Sequence, residues 1–230
     1  ASAGFQDILG LAWDRGERLF ISDNVNRSIK MMTLDPPYTV TTVAGERLNQ
    51  GGEDGVGTNG TGPKAHFETA AGMAFDRDGN LLVCDLGGET IRKITFAGGN
   101  VDQVTTIAGT YNNTGDNTLA DDGIGAAARF NAPEFIAIDG LGNAFVTERY
   151  THRIRKLTFA PDGTVTVSTF AGVADESGTS DSMLGEVSEA ARFYSPKGLA
   201  FDQAGRLLVA DMYNHLIRVI GVESDQQETQ

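Results

Sequence analysis

The sequence predicts an all-β chain folded as a β-propeller with four visible blades, and three observations predict it. Four hexapeptides align without gaps, Leu9–Asp14, Ala71–Asp76, Glu134–Asp139 and Lys197–Asp202, their closing aspartates 62, 63 and 63 residues apart. Around each lie an aromatic nine residues before the aspartate (Phe5, Phe67, Phe130, Phe193), an acid nine after it (Asp23, Asp85, Glu148, Asp211) and a base seven beyond that (Lys30, Arg92, Arg155, Arg218). Finally, 29 glycines against six prolines, with no long amphipathic helix, suit many short strands joined by tight turns. Self-similarity at a fixed period marks units that bury their apolar faces only by stacking on neighbours.

Each unit has the same internal order. The first strand ends at its aspartate, and a glycine turn comes next: Arg15-Gly16-Glu17, Asp78-Gly79-Asn80, Leu141-Gly142-Asn143, Ala204-Gly205-Arg206. The second strand is apolar, as in Leu81-Leu82-Val83 and Leu207-Leu208-Val209. The third alternates isoleucine with Arg or Lys, as in Arg153-Ile154-Arg155-Lys156-Leu157, giving one buried and one polar face. The fourth is rich in Val and Thr (40–43, 104–107, 167–170) and closes on Ala-Gly at Gly45, Gly109 and Gly172. Four antiparallel strands repeated in tandem describe propeller blades. A β-solenoid is the competing architecture, but its coils are usually shorter and lack this hairpin pattern. The repeats fall near 5–66, 67–129, 130–192 and 193–230 within one domain. The last reaches its third strand at Ile220 and then turns polar, with no Val-Thr strand of its own. The ring is therefore expected to belong to a larger propeller, to close poorly on four blades, or to be completed by assembly, with the unpaired edge of blade four as a template for another strand.

The motifs Gly79-Asn80, Val209-Ala210-Asp211, Asn214-His215 and His152-Arg153-Ile154-Arg155-Lys156 resemble the NHL repeat over nearly the whole chain. Copy one departs most, with Asn26-Arg27-Ser28-Ile29-Lys30 and no histidine. The resemblance implies a propeller. It is specific for fold and weak for function, because propellers host many unrelated activities.

Net charge is −13, which opposes non-specific binding to nucleic acid or to anionic lipid, although some relatives of this type bind RNA through a basic face. No apolar run approaches the length of a membrane-spanning helix, and no signal peptide is visible at residues 1–10. The single cysteine, Cys84, sits in an apolar run and reads as a small core residue. No Gly-x-Ser-x-Gly elbow is present.

Three inter-blade segments of about 20 residues, Gly45–Phe67, Gly109–Phe130 and Gly172–Phe193, are long enough to be functional or partly structured, and two end in Ala-rich runs. They are expected to emerge on one propeller face and form a shared binding rim. Their acids Asp54, Asp116, Asp121 and Asp122 are weak candidates for Ca²⁺, because oxygen-rich loops suit that ion, but EF-hand spacing is absent. His152 and His215 occupy one repeat position, which favours a structural role over a zinc site with His66. The acid–base pairs Asp23/Lys30, Asp85/Arg92, Glu148/Arg155 and Asp211/Arg218 read as register clamps; exposed, they would each contribute about 0–1 kcal/mol. Sequons at Asn26, Asn59 and Asn112 fall in predicted turns and favour a secreted or cell-surface location. The leading functional expectation is a non-catalytic interaction or scaffold module for protein or glycan. The alternative is a metal-dependent hydrolase or lyase with its site in the central channel.

Overall fold

A computed structural model describes residues 4–47, 49–58, 60, 64–112, 122–181 and 191–222. It is an all-β propeller of four antiparallel sheets. Blade one contains β1 (Ile8–Trp13), β2 (Arg18–Asp23), β3 (Ser28–Thr33) and β4 (Val40–Gly45). After the short β5 (Gly55–Val56), blade two contains β6 (Ala70–Phe75), β7 (Leu81–Asp85), β8 (Thr90–Ala97) and β9 (Asn100–Gly109). After β10 (Gly123–Ile124), blade three contains β11 (Pro133–Ile138), β12 (Ala144–Glu148), β13 (Arg153–Phe159) and β14 (Val165–Ala171). Blade four contains β15 (Pro196–Phe201), β16 (Leu207–Asp211) and β17 (Leu216–Ile220), with no fourth strand among the described residues. No helix is long and apolar enough to cross a membrane.

The four-stranded reading is incomplete in one respect. The inter-blade segments do more than connect. β5 pairs with β9 (Gly55 opposite Val104) and β10 with β14 (Gly123 opposite Val167), so blades two and three each gain a fifth, outermost strand from the preceding segment. Of the two Ala-rich runs, the described one forms a single 3₁₀ turn at Gly125–Ala127.

The core is divided into three apolar clusters, each lying between neighbouring blades. Phe20 and Ile29 of blade one meet Leu81, Val83 and Met73 of blade two. Ile91 and Leu82 of blade two meet Val146, Ile136 and Leu157 of blade three. Phe145 and Ile154 of blade three meet Leu207 and Val209 of blade four. Cys84 is fully buried in the second cluster, where burial pushes its thiol far above the usual range and leaves it unreactive. Phe20 stacks edge-on against Phe75, and Phe145 against Phe201, at ring separations of 5.3 Å.

Close approach of the inner strands sets the radial packing. A Cβ on Gly10 would collide with the Ala71 carbonyl, and one on Gly72 would lie 2.6 Å from the Glu134 carbonyl. Gly198, the counterpart in blade four, has among the described residues only the Cβ of its own blade's Ala210 nearby, at 3.9 Å. The Ala-Gly that ends each fourth strand has a related purpose. Gly45, Gly109 and Gly172 have φ of 79°, 87° and 91°, and the rings of Phe67, Phe130 and Phe193 lie where a side chain would stand.

Candidate functional site: the loop face

The repeated acids are hubs. In each blade the acid at the end of the second strand accepts a hydrogen bond from the backbone entering the first strand. The donors are Gln6 N to Asp23 (3.0 Å), Thr69 N to Asp85 (2.7 Å), Asn131 N to Glu148 (2.9 Å) and Tyr194 N to Asp211 (2.7 Å). In three blades it also accepts from a side chain three residues on: Asn26, Thr151 and Asn214. The base then reaches it, Lys30–Asp23 at 3.8 Å, Arg92–Asp85 at 3.5 Å, and Arg155–Glu148 and Arg218–Asp211 at 3.1 Å. The pairs predicted from spacing therefore form in every blade, on acids that are all buried. Arg92 and Arg155 are buried as well, so the exposed-pair magnitude does not apply to them, while Lys30 and Arg218 are partly exposed. Burial pushes the Asp85 carboxyl up, against the amides of Thr69 and Glu68 and the charge of Arg92.

The arginines extend each hub into the inter-blade segment. Each guanidinium lies over the repeat phenylalanine, Arg92 on Phe67, Arg155 on Phe130 and Arg218 on Phe193, at 5.1–5.4 Å. Each also donates to the carbonyl just before that ring, at His66, Arg129 and Arg192. Each ends on a loop aspartate: Asp54 at 3.1 Å, Asp122 at 2.8 Å, and Asp181. Asp54 Oδ1 further accepts from the Thr106 amide and hydroxyl, and Asp122 Oδ1 from the Thr169 hydroxyl. Thus two of the Ca²⁺ candidates, Asp54 and Asp122, are engaged by arginine in different blades and do not converge. Asp116 and Asp121 lie outside the described residues.

These hubs hold one face together. The turn between the second and third strands bonds to the segment entering the first strand through Val25 N to Gln6 O, Leu86 N to Thr69 O, Arg149 N to Ala132 O and Tyr213 N to Tyr194 O. Each turn closes on a left-handed residue, Arg27, Glu89, His152 or His215, with φ of 51–59°. His152 Nδ1 accepts from the Ser195 amide at 3.1 Å, so the neutral ring carries its proton on Nε2 and joins blade three to blade four. Burial holds its pKa below the usual value, opposed by Asp175. Among the described residues, the three histidines are not gathered with acids or cysteine into any group able to hold a metal ion.

The segments so fixed present exposed aromatics between blades three and four. Tyr194 meets His152 edge-on at 5.3 Å and Tyr213 at 5.0 Å, with Met212 beside them. Tyr150 stands exposed on the blade-three turn, with the Arg149 guanidinium over its ring. At the neighbouring junction the Tyr111 hydroxyl donates to Glu68 (2.9 Å), and burial together with that bond pushes its pKa up to about 12. Sequence reading placed the rim in the long loops and missed these tyrosines. Their signal was departure from the repeat, since corresponding turns carry Asn24-Val25 and Leu86-Gly87 instead of Arg149-Tyr150 and Met212-Tyr213. Of the sequons, Asn112 is exposed and Asn59 lies outside the described residues. Asn26 is buried and its amide is spent on Asp23 at 2.7 Å, which removes it as a glycan acceptor in the folded chain.

Comparison with known proteins agrees with this geometry. The NHL repeat family matches residues 193–220. NHL repeat-containing protein 2 of Bos taurus is 29% identical over 167 residues, covering 70% of this chain but 22% of that protein. An auxiliary nutrient binding protein from Bacteroides ovatus superposes with a TM-score of 0.70 at 18% identity, over 96% of this chain and 50% of its own. A gluconolactonase from Xanthomonas campestris superposes with a TM-score of 0.58 at 17% identity, over 96% and 60%. At such identities the structural likenesses show the fold alone. The chain spans less than a quarter of the curated relative and about half of the first of these structures. Four copies of one hub in four radial sheets, with the NHL repeat matched on the last of them and NHL repeat-containing relatives over 70% of the chain, give this chain an NHL-type β-propeller fold.

Proposed function

We propose that this chain is a non-catalytic interaction module that engages a protein or glycan ligand through the loop face, centred on Tyr150, Tyr194 and Tyr213. The observation that carries the reading is the tyrosine cluster itself. Aromatic side chains with an apolar face and a polar tip, held by a rigid scaffold, are the groups that dominate binding energy at interfaces. The buried hubs beneath supply that rigidity, so little ordering cost remains at binding. The exposed sequon at Asn112 supports a secreted or cell-surface setting. The competing reading, a metal-dependent hydrolase or lyase in the central channel, has the shared fold of a gluconolactonase in its favour but no convergent ligand set among the described residues.

The arc formed by the four blades is read as part of a larger ring, its two end faces covered by further blades. The test of the loop-face reading is affinity capture with the wild-type chain and with a Tyr194→Ala/Tyr213→Ala variant, scored against a protein extract and a glycan array. A ligand retained by wild type and lost by the folded variant supports the face. Equal retention by both, or retention of nothing by either, contradicts it.

A further inference from the structure

Three hubs end on an aspartate delivered by the preceding inter-blade segment, and the hub of blade one does not. Lys30 stands where Arg92, Arg155 and Arg218 stand, and Thr42 occupies the repeat position of Thr106 and Thr169. The Lys30 ammonium donates to Thr42 Oγ1 at 3.2 Å and lies 3.8 Å from Asp23. Both groups line an open groove of about 500 Å³ together with Ser28, Gly4 and Arg47. The outer edge of β4 runs along it. Thr58, which also lines the groove, donates its amide to the Val43 carbonyl and its hydroxyl to the Thr42 carbonyl at one end. No described strand pairs there, whereas β9 and β14 carry β5 and β10 on that edge.

We infer that this groove is a binding seat for an extended Asp-Gly-(Val/Ile)-Gly segment, supplied by the inter-blade loop of a further blade lying outside residues 1–230. The filled seats define the chemistry. In each, an aspartate Oδ1 takes the base and the threonine, and the next two residues, Gly55-Val56 or Gly123-Ile124, add a strand to the blade edge. Main-chain pairing supplies affinity, and the carboxylate supplies register and specificity. The occupant is not a second copy of this chain, because Asp54, Asp122 and Asp181 are each already held by an arginine and one would have to be surrendered. A further blade is consistent with a similar propeller of which this chain covers 50%. The inference rests on the reading of the arc as part of a larger ring and adds to it the chemistry of the contact.

The experiment appends a copy of residues 50–58, which contain Asp54-Gly55-Val56-Gly57, through a short flexible linker ahead of residue 1 of the full chain. Gly4 lines the groove, so such a linker reaches it at high effective concentration. Amide hydrogen exchange across Val40–Gly45 is expected to slow about tenfold. The slowing is expected to vanish when the appended aspartate is changed to asparagine, and separately with Lys30→Met in the chain. Unchanged exchange at β4, or protection that survives both substitutions, overturns the seat. The larger-ring reading has a separate readout on the inner strand at Trp13. Failure at β4 therefore sinks the seat alone, while a shielded Trp13 in the unextended chain sinks the ring reading.

Discussion

Ile154 and Ile217 hold the same place in successive repeats, yet Ile154 is 0% exposed and Ile217 is 69% exposed. Ile29 and Ile91 at that place are also fully buried. The difference lies not in the residue or its strand but in the neighbouring sheet: Ile154 packs on Leu207 and Val209 of the next blade, and Ile217 has no next blade among the described residues. The opposite end repeats the lesson. Leu11 of blade one is 58% exposed, whereas Met73 and Ile136 at its position are 6% and 7% exposed. A blade is thus only half an apolar core. Its stability is a property of its interfaces, as expected for a repeat array.

That contrast can be sharpened by substitution. The largest effect is expected at the hubs. Arg92→Met leaves Asp85 fully buried and without the cation that pairs with it among the described residues, and should cost about 3–5 kcal/mol in denaturant unfolding. Lys30→Met at the unfilled hub should cost less, because Lys30 is partly exposed and lies 3.8 Å from Asp23. Equal costs would mean that the two hubs are equivalent, against the account. Next, Ile154→Ala should cost about 2–5 kcal/mol through a cavity between blades. Ile217→Ala should stay within about 0.5 kcal/mol, and a large loss there would show its face already covered.

Smaller effects arise from protonation. The depressed pKa of His152 means that its contribution is present above the ordinary value near 6.5 and is lost as pH falls through the lower folded value. Unfolding midpoints measured between about pH 7.5 and about pH 5 should therefore fall more steeply in wild type than in His152→Gln. The smallest effect concerns Asp202, held below its ordinary value of 3.8 by the backbone and side chain of Arg206. Its turn should loosen only as pH falls through that depressed value. An NMR titration placing Asp202 at or above 3.8 would contradict the turn geometry.

Much of this architecture was legible in the sequence because it recurs. The aspartates that end each first strand, the Ala-Gly before each phenylalanine and the spaced acid–base pairs all predicted features that the structure contains. What escaped is what a period cannot report. β5 is two residues long and pairs with Val104 and Gln103, so no local alternation announces it. The burial of Arg92 and Arg155 depends on a loop aspartate far away in sequence, so the pattern alone read as a surface pair. The tyrosines of the loop face interrupt the repeat, and a search for sameness passes over them. Asn26 looked like an exposed turn residue until its amide was seen on Asp23.

The most direct test of an open-ended arc uses the single tryptophan. Trp13 lies on the outward face of blade one and is exposed, while Phe75 and Phe201 at its position pack into inter-blade clusters. Acrylamide quenching of its fluorescence in the 230-residue chain should be efficient, with red-shifted emission. A blue-shifted, weakly quenched Trp13 would mean that its face is already covered, and would contradict the claim that this chain displays unmet blade interfaces.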